Sequence, residues 1–142
     1  MNQMLKNVDK NKVLLILNWC INKFGKSKYC KTYPKLFVYN STGASLDKEH
    51  DGRCGHYRDG VITIFLGSNK DLKDLCGTVV HEYKHYLLNN KEFQREYHKL
   101  KKQGFTEEDT IQKHTHEKKA RRFENKWKFI CYNDLKKELT KF

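Results

Sequence analysis

Val61-Ile62-Thr63-Ile64-Phe65-Leu66 is apolar on both faces of an extended strand. Such a strand is expected to lie within a sheet and be covered by helices, because either face left in water would expose a row of large side chains, although periodicity alone also allows a buried helical segment. Asp59-Gly60 just before it tolerates the positive φ angles of a tight turn, so His56-Tyr57-Arg58 is expected to pair with it as a hairpin. Another strand is expected at Leu36-Phe37-Val38-Tyr39, after a Lys-rich loop holding the only proline, Pro34. It should stop at the turn signal Asn40-Ser41-Thr42-Gly43, and the stretch from there through Gly55 reads as a loop.

The rest of the chain carries helical periodicity. Asp9 can cap a helix on which Val13, Leu14, Leu17, Ile21 and Phe24 recur, with Gly25 placed to end it. Ser68 with Asp71 makes a capping-box-like start, and Leu72, Leu75, Val79 and Tyr83 carry a helix on to about Leu88. Asn89-Asn90 weakens the pattern before Phe93, Tyr97 and Leu100 resume it, and Gly104 ends this arm. Thr106 with Asp109 starts a short helical turn. From about His114 a further helix presents Ala120, Phe123, Trp127 and Ile130 on its apolar side, with a short amphipathic helix after it in the tail. A few strands among many helices predict an α+β fold with a small, mostly antiparallel sheet packed on helices. With 142 residues and no repeat, linker or composition break, residues 1–142 are read as a single domain.

Lys and Arg number 29 against 17 Asp and Glu, a formal net charge of +12, whose field attracts nucleic acid, anionic lipid or acidic protein surfaces. The basic residues are spread along the chain rather than gathered into one arm. That distribution reads first as a solvated Lys-rich surface, with nucleic acid a candidate partner. Cys20, Cys30, Cys54, Cys76 and Cys131 are odd in number and form no C-x-x-C pair. This argues against a disulfide framework or a zinc knuckle and for a reducing, cytoplasmic setting. Near the N-terminus the longest apolar run is Val13 to Leu17, too short for a membrane span or a signal peptide, so no membrane association is expected.

The chemistry is concentrated at His81-Glu82-Tyr83-Lys84-His85. On a helix, residues four apart project from one face, so both imidazoles can bind one Zn²⁺. Glu82, displaced by about 100° around the helix, can take a proton from a metal-activated water as general base. Val79-Val80 before the motif and Tyr86-Leu87-Leu88 after it would bury it. Gly77, one turn ahead, costs about 1 kcal/mol relative to alanine in a helix interior, which signals close packing of backbone, substrate or a neighbouring helix.

Two imidazoles need a third protein ligand, with the fourth position left for water. Glu117 fits: it shares a helical side with Ala120 and Trp127, and a carboxylate on such a core-facing stripe needs a partner. The 32 residues from His85 to Glu117 (117 − 85) suffice for one helix to end and another to return against it. His114 and His116 are the alternatives.

Val80-His81-Glu82-Tyr83-Lys84-His85-Tyr86-Leu87, followed by His114-Thr115-His116-Glu117-Lys118-Lys119-Ala120-Arg121-Arg122-Phe123, resembles the small gluzincin-type metallopeptidases, including ImmA/IrrE-type and phage-encoded members. In that family a Glu three residues before an Ala, with an aromatic one turn later, completes the zinc site, a pattern matched by Glu117, Ala120 and Phe123. The resemblance spans roughly Val61 to Trp127 and implies a zincin-like fold, with a small sheet over the active-site helix. It also implies peptide-bond hydrolysis, with Zn²⁺ as cofactor and a protein or peptide as substrate. The family often places an acidic residue four after the Glu to orient a zinc-binding His; here that position is Arg121, and Glu124 is a candidate substitute. For an oxyanion donor, His56, Tyr57, His98 and Tyr132 have suitable side chains, although each reads more simply as a structural Tyr or surface His.

Two rival readings stand beside this one. A DNA-associated SprT-like protease, or a basic nucleic-acid-binding module with a degenerate motif, would use a third His, namely His114 or His116; the C-terminus has no cysteine cluster to build the extra zinc-binding tail such proteases often carry. A purely structural zinc site would have four protein ligands and no use for Glu82.

Overall fold

The computed structural model describes residues 10–40 and 54–141. Over these residues the chain is α+β, with five α-helices and a three-stranded sheet. In chain order the elements are α1 (Lys10–Phe24), β1 (Lys35–Tyr39), β2 (Gly55–Arg58), β3 (Val61–Phe65), α2 (Leu72–Leu87), α3 (Asn90–Lys102), α4 (Glu107–Lys113) and α5 (Thr115–Leu139). A 3-10 turn, Leu66–Ser68, joins β3 to α2. The expected cap Asp9, the turn signal from Ser41 onward and the stretch 41–53 lie outside the described residues.

The strand order β1-β3-β2 puts the doubly apolar β3 in the centre. Its hairpin with β2 turns on Asp59 (φ 49°) and Gly60 (φ 83°), the two successive positive angles of a tight hairpin turn. β2 runs antiparallel, with Tyr57 opposite Ile62, whereas β1 runs parallel, with Val38 opposite Ile64. The sheet is therefore mixed, which corrects the expectation of a mostly antiparallel one. β1 and β3 are separated in sequence by β2, so they are not hairpin partners, and parallel pairing requires a crossover of that kind. Gly55, read as the end of a loop, is the first residue of β2.

α2 lies in the middle of the molecule. Leu72, Leu75, Cys76, Val79, Val80, Tyr83 and Tyr86 join Val13, Ile16, Leu17 and Cys20 of α1 and Leu36, Ile62 and Ile64 of the sheet in one core. Burying each large apolar side chain contributes about 1.5–3 kcal/mol, so α2 is held mainly by packing and little by its own propensity. Its cap is Asp71, whose Oδ1 accepts from the Asp74 N–H at 2.9 Å; Ser68 belongs to the preceding 3-10 turn and does not cap. Asn89 caps α3 by accepting from Lys91 N–H at 3.0 Å, so the expected long arm is two helices. Thr106 caps α4 through Asp109 N–H at 3.1 Å, as read from the sequence. Gly25 (φ 77°) ends α1.

α5 continues unbroken for 25 residues, so the expected separate tail helix forms its last turns. Ile130 is exposed, because the four-residue step from Trp127 turns Cys131 inward in its place. An aromatic seam joins α5 to α1, with Phe24 lying 4.7 Å from Phe123 and 5.3 Å from Trp127 between ring centroids. Lys12 donates to the carbonyls of Leu139 and Lys141, each at 2.6 Å, satisfying groups at the C-terminal end of α5. The five cysteines carry no disulfide, and no helix of the described residues is long and apolar enough to cross a membrane.

Hydroxyls tie the residues ahead of β1 to α2: Tyr83 Oη donates to the Gly25 carbonyl, Ser27 Oγ to the Leu87 carbonyl, and Tyr86 makes two bonds. Tyr86 Oη accepts from Ser27 N–H at 3.1 Å and donates to the Thr32 carbonyl at 2.8 Å. Tyr86→Phe leaves a buried N–H and a carbonyl without these partners. It is expected to lower stability by about 1–3 kcal/mol in urea unfolding; an unchanged midpoint would mean that the hydroxyl ties down nothing of consequence.

Candidate metal centre

His81 and His85 sit one turn apart on α2, with ring centroids 5.2 Å apart. Glu117 lies in the first turn of α5, where the helix dipole favours a carboxylate. It divides its two oxygens between the imidazoles: Oε1 is 2.8 Å from His81 Nε2, and Oε2 is 2.9 Å from His85 Nε2. One ligand atom from each residue falls within a 4.8 Å sphere of mutual distances. Two imidazole nitrogens and a carboxylate oxygen are a donor set that zinc accepts, so these three residues could hold a metal ion.

His81 has a carboxylate at each ring nitrogen, because Glu124 Oε1 stands 2.8 Å from Nδ1. A hydrogen bond of this kind fixes the ring and its tautomer, with Nε2 turned toward Glu117. Arg121, where the family pattern would put the acid, instead approaches Glu117 Oε1 at 4.0 Å and donates to the Gln112 carbonyl at 3.1 Å. The support for His81 thus comes from Glu124, seven residues after Glu117 rather than four.

Two glycines allow this geometry. A Cβ on Gly77 would lie 3.0 Å from Lys128 Cδ and 3.2 Å from Glu124 Oε2, so the bare backbone lets α5 come close enough for Glu124 to reach His81. Of the readings for Gly77, packing of a neighbouring helix is the one observed. A Cβ on Gly55 would lie 2.7 Å from Thr78 Cγ2 and 3.2 Å from Glu82 Cγ. β2 therefore rests directly on the helix beside Glu82. That constraint depends on tertiary approach and has no local signature.

Glu82 is buried and lines a cleft of about 740 Å³ together with His81, His85, Glu117 and Glu124. β2 forms one wall through His56 and Tyr57, and α3 contributes Phe93 and Tyr97. Tyr57 Oη accepts from Gly60 N–H at 3.1 Å and its ring meets Tyr86 edge-on, a structural role. His98 and Tyr132 are not among the residues lining the cleft. His114 is taken up as the cap of α5: Nδ1 accepts from His116 N–H at 3.0 Å, which leaves Nε2 to donate to the Phe93 carbonyl at 2.8 Å. His116 does line the cleft, with Nε2 3.7 Å from Glu92 Oε2. Neither belongs to the His81, His85 and Glu117 group.

The electrostatics follow from burial and pairing. Burial pushes the His81 imidazole toward neutrality, but its hydrogen bonds to Glu117 and Glu124 outweigh this and raise its pKa from 6.5 to about 10. Burial also works against ionisation of Glu117, and the two histidines overcome it, holding the carboxyl well below its usual range. Comparison with protein-family models, with curated proteins and with solved structures returns no match.

Two outcomes test this description. Glu124→Gln should weaken zinc binding about 10–100-fold in calorimetric titration. Gly77→Ala should shift affinity the same way while leaving thermal stability near wild type, since the helix gains about 1 kcal/mol of propensity against the crowding. Undiminished affinity in Glu124→Gln would show that the carboxylate does not orient His81. In chelator-treated protein, a raised His81 pKa contributes stability fully below pH 6.5 and loses it as pH rises through about 10. The urea midpoint should therefore fall across that window, and Glu117→Gln should flatten the slope.

Proposed function

We propose that this protein is a zinc-dependent metallopeptidase of zincin-like arrangement, with His81, His85 and Glu117 as metal ligands and Glu82 as general base. The observation that carries this reading is the splitting of one Glu117 carboxylate between the Nε2 atoms of two histidines on another helix. Glu82 lines the same cleft. When bound there, zinc supplies a Lewis acid for the scissile carbonyl and acidifies a water.

The chain's own residues do the rest. Glu82 accepts the proton released by the attacking water and passes it to the departing amine. Glu124 holds His81 in register, and Gly55 keeps β2 close against α2. β2 is an edge strand of the described sheet and forms a wall of the cleft, so an extended peptide can pair with its backbone and lie across Glu82. Recognition through backbone hydrogen bonds gives little sequence preference, which fits an unstructured protein segment as substrate.

The test pairs metal content with hydrolysis of a quenched-fluorescence peptide library. Wild type should hold one zinc per chain and cleave. Glu82→Gln should keep the zinc and lose at least about 100-fold in kcat/KM. Full activity in Glu82→Gln, or wild-type protein that takes up no zinc, would overturn the reading.

A further inference from the structure

The positive charge of this chain is less evenly distributed than a count of lysines suggests. No Asp or Glu occurs between Asp9 and Asp47, while Lys10, Lys12, Lys23, Lys26, Lys28, Lys31 and Lys35 all fall in that interval. Lys12 is committed to the end of α5, which leaves the segment from Lys26 into β1 as the unbalanced part. In the same segment the lysines alternate with rings: Tyr29, Tyr33, Phe37 and Tyr39 are 48%, 49%, 53% and 42% exposed. Four large aromatics left this open within eleven positions are not core residues that strayed to the surface. The helix-facing side of β1 is supplied by Leu36 and Val38, which pack in or against the core.

Strand alternation puts Lys35, Phe37 and Tyr39 together on the other face of β1. The parallel register sets them beside Val61, Thr63 and Phe65 of β3, and Tyr39 lies nearly flat on Phe65, with ring centroids 5.7 Å apart and an interplanar angle of 16°. Lys28 Nζ stands 5.2 Å from the Tyr29 ring centroid, a cation held over an aromatic face. Asp59, in the adjoining hairpin turn, lies 4.0 Å from Arg58 and has its charge opposed there. None of these residues ligates the proposed metal centre.

We propose that this face, the Lys26–Lys35 segment together with the outer side of β1, binds single-stranded nucleic acid. A single strand presents phosphates at regular intervals and unpaired bases whose flat faces stack on aromatic rings. Ammonium groups alternating with exposed rings match both features at once. A duplex keeps its bases stacked on one another and would use only the charges. An anionic membrane would use charge and apolar insertion, but three of the four rings are tyrosines with a polar hydroxyl, and Tyr39 is held against Phe65. A strand face carrying such rings favours stacking over insertion.

The experiment is fluorescence anisotropy with a labelled 20-nucleotide oligo-dT, a mixed-sequence duplex of equal length and, by sedimentation, vesicles containing phosphatidylserine. Wild type should bind oligo-dT more tightly than duplex, with affinity falling as salt rises. Tyr33→Leu/Phe37→Leu keeps apolar area but removes two rings, and should weaken oligo-dT binding about tenfold or more. Lys28→Glu/Lys31→Glu should reduce the log–log salt slope by about 1.4, from two phosphate contacts at roughly 0.7 each. Lys101→Glu/Lys102→Glu on α3, the same change in total charge, should do much less. Far-UV circular dichroism and thermal melts confirm that each variant is folded. The proposal fails if oligo-dT does not bind at low salt, if duplex binds as well as single strand, or if the α3 pair loses as much affinity as the segment pair. It also fails if the leucine variant binds like wild type, or if vesicles bind and oligo-dT does not. Because binding is read without hydrolysis, its outcome is independent of the peptidase test.

Discussion

The close approach of α5 to α2 is the contact on which both the core and the cleft depend. At Gly77 the side chains of Lys128 and Glu124 come so near the α2 backbone that a single added carbon would meet them. One turn further along α2 the same proximity brings Glu124 to His81, and beyond that it brings Glu117 to His81 and His85. A shift of α5 by about one turn, some 5.4 Å, would leave each imidazole facing a different residue. The aromatic seam of Phe24, Phe123 and Trp127 and the tie from Lys12 hold the helix at that height.

Such an arrangement places charge where burial opposes it. Glu82, Glu117 and Glu124 surround two histidines in a cleft roofed by a sheet, and an unpaired carboxylate there would cost several kcal/mol. Sharing Glu117 between both rings, with Glu124 on the far side of His81, compensates that cost within the cluster. A separate ion pair between the same two helices joins Lys128 to Asp74 at 3.1 Å.

Much of this was legible because the signals were local. The doubly apolar run at Val61–Phe65 pointed to a strand within a sheet, Asp59-Gly60 specified the turn before it, and Thr106 and His114 marked the helix starts. Glu117 could be singled out because a carboxylate on an apolar helical stripe is costly without a partner. Other features were set by tertiary approach. Nothing near Leu36 indicates parallel pairing, since its partner strand follows β2 in sequence. Gly55 looks like any loop glycine until Thr78 and Glu82 are seen beneath it. Ser68 matched a capping pattern, but the chain makes a 3-10 turn first and passes the task to Asp71. Likewise Ile130 satisfied a plausible apolar spacing while Cys131 holds the inward position.

The bond between Lys12 and the carbonyls of Leu139 and Lys141 bears on how the chain is made as well as how it is held. Its ends lie 127 and 129 residues apart in sequence, and the seam between Phe24 and Trp127 spans a comparable stretch. During vectorial synthesis on the ribosome, α1 emerges long before the helix it docks against, and α2 emerges with both histidines but without Glu117. The long loop this closure requires carries an entropic cost that is offset only once α5 has been synthesised. A nascent chain consequently cannot assemble the carboxylate-bridged pair until α5 is available, so the cleft matures well after the helix that carries both histidines.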